Sequence, residues 1–237
     1  MRVPRALKRS ARRAIDAVGS VYRSAIRYCD GDLGILLRRR YYRKRLAHLG
    51  RNAIIDTGVF LTGCEHISIG EGTHLDKNCI IVGAPEDLDL SSRSVKRREV
   101  DYPAVRPGEV RIGKDCHISQ NCMIYGYGGV FIGDNCVMSA GAKVYSLTSM
   151  AYDPHDPGAV VSIVPYEGRS PTLVGKVALE RNVWIGIDVV VSPGVVIGPD
   201  SFVRSRSMVM SSFGGNSYIA GDPAVRVRER FARKEGR

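Results

Sequence analysis

The sequence predicts an all-β fold, a coil of short strands stacked along one axis, with an N-terminal basic helical arm. Three observations predict it. A large aliphatic residue returns every sixth position over most of the chain, a turn-forming residue follows at a fixed offset, and the excess positive charge is confined to the first fifty or so residues.

The repeat is clearest from residue 179 onward. Leu179, Ile185, Val191, Ile197, Val203 and Val209 are six apart, and Val183, Val189, Val195, Ser201 and Ser207 follow the first five at the fourth offset. Ile112, Ile118 and Ile124 obey the same rule with Cys116 and Cys122; so do Ile132, Met138 and Val144 with Cys136 and Ala142. Ile69, Leu75 and Ile81 repeat it with Thr73 and Cys79, after a weaker start at Ile55 and Leu61. Period six is neither a helical stripe nor simple strand alternation. It suits short strands joined by tight corners, each side sending one large and one small residue inward.

The corners have their own signature. Gly70, Gly113, Gly133, Gly186 and Gly198 follow the large aliphatic, and Asp115, Asn121, Asn135, Asn182, Asp188 and Asp200 stand at the next corner. Both groups are expected to take the left-handed backbone angles of tight turns. Cys79, Cys116, Cys122 and Cys136 occupy the small inward position, where a thiol acts as a small hydrophobe rather than a nucleophile. No Cys-x-x-Cys pair is present, which argues against a zinc ribbon or thioredoxin-type motif.

At 44% hydrophobic and 25% charged, the 237-residue chain has the composition of a globular protein. Residues 1–51 hold fifteen Lys/Arg against three Asp, so the net charge of +11 resides in the arm and the remainder is near neutral. Leu7, Ala11, Ala14, Val18, Tyr22 and Ile26 recur at helical spacing, and Leu36, Leu37 and Tyr41 continue beside Arg38, Arg39 and Arg40. Two readings of this arm stay open: an amphipathic surface for an anionic membrane, or a cap over the end of the coil stack. No nucleic-acid recognition module is found. No secretory signal or apolar run long enough to span a membrane is present, so the expected location is cytoplasmic, with the arm resting on the inner membrane face.

Asn182-Val183-Trp184-Ile185-Gly186, Ser192-Pro193-Gly194-Val195-Val196-Ile197-Gly198 and the ending Tyr218-Ile219-Ala220-Gly221-Asp222-Pro223-Ala224 resemble the hexapeptide-repeat acyltransferases, over roughly residues 52–228. The nearest resemblance is to maltose- and galactoside-type acetyltransferases and the sugar acetyltransferases of surface-polysaccharide pathways. It implies a left-handed parallel β-helix, a homotrimer, and acetyl-CoA or another acyl-CoA as cosubstrate, with a sugar or nucleotide-sugar acceptor acylated on oxygen or nitrogen. It also implies the organisation: arm 1–51, β-helix 52–228 with loops at 83–109 and 146–173, and a basic tail at 229–237.

Acyl transfer from a thioester needs a proton acceptor and a groove for a long cofactor. The family's basic histidine lies in a loop that corresponds here to residues 144–150, which hold none. The next histidine is His155, flanked by Asp153 and Asp156, and it is the first candidate base. Asn121 matches an active-site asparagine of the family, and His117, beside the inward Cys116, is a further candidate. By position, Trp184 and Ile187 flank the pantetheine arm, Ser205 and Ser211 lie further along that groove, and Arg228 suits a coenzyme A phosphate, with Arg204 and Arg206 adding charge. No metal ligands are expected. The two loops are expected to frame the acceptor pocket. Two other classes compete: a non-catalytic scaffold on this coil, and a γ-type carbonic anhydrase. The latter needs three convergent histidines; His66, His74 and His117 lie in suitable coils at spacings that do not match.

Overall fold

The computed structural model describes residues 5–85, 89, 93–148 and 170–232. From His48 the chain winds as a left-handed parallel β-helix of triangular section. The first face stacks His48–Leu49, Ile67–Ile69, Val110–Ile112, Val130–Ile132, Val177–Leu179 and Val196–Ile197. The second stacks Ile54–Ile55, His74–Leu75, His117–Ile118, Val137–Met138, Trp184–Ile185, Phe202–Val203 and Ser217–Gly221. The third stacks Phe60–Thr62, Ile80–Val82, Met123–Tyr125, Lys143–Tyr145, Val190–Val191 and Met208–Val209. Among the described residues, pairing between coils is parallel throughout, and within these three faces the last strand, Ala224–Glu229, turns back antiparallel on Ser217–Gly221.

The hexad residues build the core. Leu179, Ile185, Val191, Ile197, Val203 and Val209 are fully buried, as are Ile118, Ile124, Ile132, Met138 and Val144. Each such side chain contributes about 1.5–3 kcal/mol of apolar burial. The four small-position cysteines are buried, and their thiols donate to carbonyls of the next coil: Cys79 to Ser119 O (3.1 Å), Cys116 to Gly133 O (3.1 Å), Cys122 to Ser139 O (3.2 Å) and Cys136 to Glu180 O (2.9 Å). The hydrogen bond with Cys122, and then burial, push the Cys79 thiol up; Cys116 and burial do the same to Cys136. The same pairings lower Cys116 and Cys122, but all four thiols are buried in the core, out of reach of a substrate, which does not suit a nucleophile.

The corner expectation divides in two. Asp115, Asn121, Asn135, Asn182, Asp188 and Asp200 do take left-handed angles, with φ between 52° and 61°. Gly70, Gly113, Gly133, Gly186 and Gly198 do not; their role is close approach between coils. A Cβ on Gly198 would lie 2.4 Å from Gly215 N, and one on Gly186 2.5 Å from Ser205 N. Arg206 holds a corner with φ of 59°, where a side chain of this type is unfavourable.

Helix α1 (Arg5–Tyr28) and helix α2 (Gly31–Tyr42) close the N-terminal end of the stack. Arg38 is fully buried: its Nε donates to Ile55 O (2.7 Å) in the first coil, and Nη1 reaches the carbonyls of Ile26 (3.2 Å), Arg27 and Cys29 at the end of α1. Thr57 Oγ1 donates to Asp30 Oδ1 (2.7 Å), and Tyr42 and Leu46 join the core. The cap reading of the arm is therefore the one this packing realises. On the helices' outer side Val18, Val21, Tyr22, Tyr28, Leu33 and Leu36 are all more than half accessible.

Both interruptions of the repeat leave the same corner, between the third and first faces, two coils apart. There Arg93–Arg97 pairs parallel with Ser170–Val174, which pairs antiparallel with Leu147–Thr148. Arg98 Nη1 donates to Met210 O (2.7 Å) and Lys176 Nζ to Tyr102 O (3.0 Å), fastening the first interruption to the coils.

Candidate active site

Strand alternation and register assemble the second face. His74 and Asp76 flank the inward Leu75 and so point outward together. On the next coil His117 pairs directly with His74, then Val137 with His117, Trp184 with Val137, Phe202 with Trp184, and Tyr218 with Phe202. The outer column thus runs from an imidazole cluster to an aromatic strip. His117 Nε2 lies 3.0 Å from Asp76 Oδ2, the rings of His74 and His117 stack with centroids 5.6 Å apart, and the His117 side chain is about half exposed. Two rungs on, Trp184 is 44% exposed, and its Nε1 donates to Ser139 Oγ (3.1 Å).

The corner after this face carries the other matching positions. Asn121 N donates to Lys77 O, Gly141 N to Gln120 O, Asp188 N to Ala140 O and Arg206 N to Ile187 O, so these turns stack in one line. Ile187 is exposed at this edge, and its N–H donates to Ser205 Oγ (3.1 Å). His117, Asn121, Trp184, Ile187 and Ser205 therefore share one face and its edge. Arg228 ends the column: its guanidinium lies 4.4 Å over the Tyr218 ring and Nη1 donates to Glu229 O. Ser211 is not with them. It follows Met208–Val209 at the opposite edge of the third face. His155 lies outside the described residues.

A cleft also lies at that opposite edge. A cavity of about 560 Å³ is bounded by Arg97, Arg98, Glu99, Asp101, Tyr127 and Lys176, among others. The first interruption lines this cavity together with Tyr127, Gly128 and residues 174–176, but within one chain it is separated from His117 by the whole third face.

Asp76 was missed in the sequence. Its partner was hidden by the 83–109 interruption, which sets Asp76 and His117 apart by 41 positions in sequence although their coils touch. The available signal was hexad phase, since His74 and His117 both immediately precede a large inward aliphatic.

The family model described as hexapeptide repeat of succinyl-transferase matches residues 109–146. The chain is 29% identical over 146 residues to the Escherichia coli K12 protein named "Putative colanic acid biosynthesis acetyltransferase WcaF", covering 60% of this chain and 72% of that one. The chain is similar to the hexapeptide-repeat acyltransferases. A chloramphenicol acetyltransferase of Escherichia coli is 27% identical over 84 residues, 35% of this chain and 38% of that one. The Bacillus cereus N-acyltransferase AntD, solved with dTDP and coenzyme A, superposes with a TM-score of 0.62 at 24% identity, over 83% of this chain and 90% of that one. That likeness bears on the fold, and it extends the hexapeptide-repeat architecture beyond the stretch that the family model matches.

Proposed function

We propose that this hexapeptide-repeat acyltransferase moves an acyl group, acetyl in the simplest case, from acyl-CoA to a hydroxyl or amine of a nucleotide-linked sugar used in surface-polysaccharide synthesis. The relatives support this reading: WcaF is named for colanic acid biosynthesis, and AntD is an N-acyltransferase solved with a dTDP-linked amino sugar and coenzyme A. The observation that carries the chemistry is the His117–Asp76 contact of 3.0 Å on the face that holds Trp184. With Nε2–H donated to Asp76, the neutral ring has its lone pair on Nδ1. That nitrogen takes the acceptor's proton as oxygen or nitrogen attacks the thioester carbonyl. Asp76 stabilises the imidazolium, which returns the proton to the departing coenzyme A sulfur. Trp184 and Ile187 offer apolar surface for the pantetheine arm, Ser205 and Asn121 line the same edge, and Arg228 supplies a cation beyond it.

The test follows thioester consumption with acetyl-CoA and a panel of nucleotide-linked amino sugars. His117→Ala is expected to lower kcat/KM by about 100-fold and leave KM for acetyl-CoA unchanged. Wild-type kinetics in His117→Ala, with a collapse in His155→Ala, would transfer the role of base to His155.

We further propose a homotrimer in which one chain's cleft, at the corner carrying the interruptions, faces a neighbour's His117 edge. The separation of cleft and His117 within one chain supports it. Light scattering should give three times 26.0 kDa. Mixing His117→Ala chains with chains altered at Lys176 should restore part of the activity; a monomer of full activity would exclude the arrangement.

A further inference from the structure

We propose that His74, Asp76 and His117 form a binding site for one divalent transition ion of the zinc class. His74 Nε2 lies 3.2 Å from Asp76 Oδ1 and His117 Nε2 3.0 Å from Asp76 Oδ2, and one donor atom from each of the three residues lies within 4.8 Å of the others. An ion bound tetrahedrally with ligand bonds of about 2.0–2.2 Å holds its donors about 3.3–3.5 Å apart. The two imidazoles approach different oxygens of Asp76, so one ion is held either by both carboxylate oxygens or after the carboxylate turns one oxygen toward both rings.

A second observation points to the same ligand. The His74 side chain is 37% exposed, but its Nε2 atom is shielded from solvent and its 3.2 Å approach to Asp76 Oδ1 lacks hydrogen-bond geometry. An imidazole nitrogen left in that condition is costly unless something at the site engages it. The donor chemistry selects the ion. Two imidazoles and one carboxylate suit zinc, cobalt or nickel; calcium and magnesium need a larger oxygen shell, and here there is one carboxylate. His117 is half exposed, so the fourth position opens to water.

Binding has a consequence for the base, and this step rests on the proposed function. An ion on Nε2 of His117 forces the proton onto Nδ1, the nitrogen that must accept the acceptor's proton. Occupancy and acyl transfer are then mutually exclusive, and the site is inhibitory.

The experiment titrates tag-free, full-length, chelator-dialysed protein with Co²⁺. The expected result is visible d–d absorption of tetrahedral intensity, saturating at one ion per chain and displaced by Zn²⁺. His74→Ala and the near-isosteric Asp76→Asn should each weaken Co²⁺ binding at least tenfold, with near-wild-type circular dichroism in Asp76→Asn guarding against misfolding. Absent d–d bands, a thiolate charge-transfer band marking Cys29 or Cys64 as the ligand, or unchanged affinity in both variants would overturn the site. Zn²⁺ should also abolish acyl transfer, and a chelator restore it. If Co²⁺ binds as expected but transfer continues at saturation, the ion site stands and the assignment of His117 as base falls.

Discussion

Single residues decide whether the ends and corners of this molecule close. Arg38 has the largest individual task. It is fully buried, its nearest carboxylate oxygen is 4.0 Å away on Asp56, and burial pushes its ionisation below the usual guanidinium range. What holds it is a set of backbone carbonyls from α1 and the first coil. A planar fork of donors meets several acceptors at once, which an ammonium does not. Arg38→Ala leaves those carbonyls buried and unpaired, and should cost about 3 kcal/mol in denaturant unfolding. Arg38→Lys should recover less than half of that. Equal stability of wild type and Arg38→Ala would show that the cap contributes nothing.

At the scale of the element, the unit is one coil, and its tolerance is set by the spacing between neighbouring backbones. Asn and Asp at the corners were readable because few residues adopt left-handed angles cheaply. The glycines after the large aliphatics were readable as conserved in phase along the chain but misread in cause: the next coil's backbone occupies the place of a side chain. Gly198→Ala should therefore destabilise the protein by about 1–3 kcal/mol. Gly214→Ala, where an added Cβ meets nothing within 4 Å, should be nearly neutral. Thermal unfolding of the two variants separates close packing from generic loss of glycine flexibility.

For the whole molecule, the arm is both a cap and an exposed surface. Its inner side satisfies the open end of the coil stack, while Val18, Val21, Leu33 and Leu36 remain uncovered, with Arg23 and Arg40 exposed alongside them. No helix among the described residues is long and apolar enough to cross a membrane. This pairing of apolar and basic groups suits the anionic membrane surface that the sequence leaves open as one reading of the arm. Removing the arm would uncap the coils, so the informative change is Val18→Glu with Leu36→Glu. That variant should lose sedimentation with phosphatidylserine vesicles while keeping the thermal stability of the wild type. Undiminished sedimentation would remove the membrane role.

The coil was legible from sequence alone because each rung packs mainly on its neighbours. The inward positions from Ile55 to Val209 are a local code in which phase along the chain equals direction in space. The same code predicted structural thiols and left-handed corners. It did not predict which outward residues meet. His74 and His117 stack across 43 residues of chain, and both interruptions gather at one corner, because an insertion changes sequence distance without changing the order of the rungs. Outward side chains are not selected by core packing, so their contacts follow from coil register alone, which only the folded stack defines.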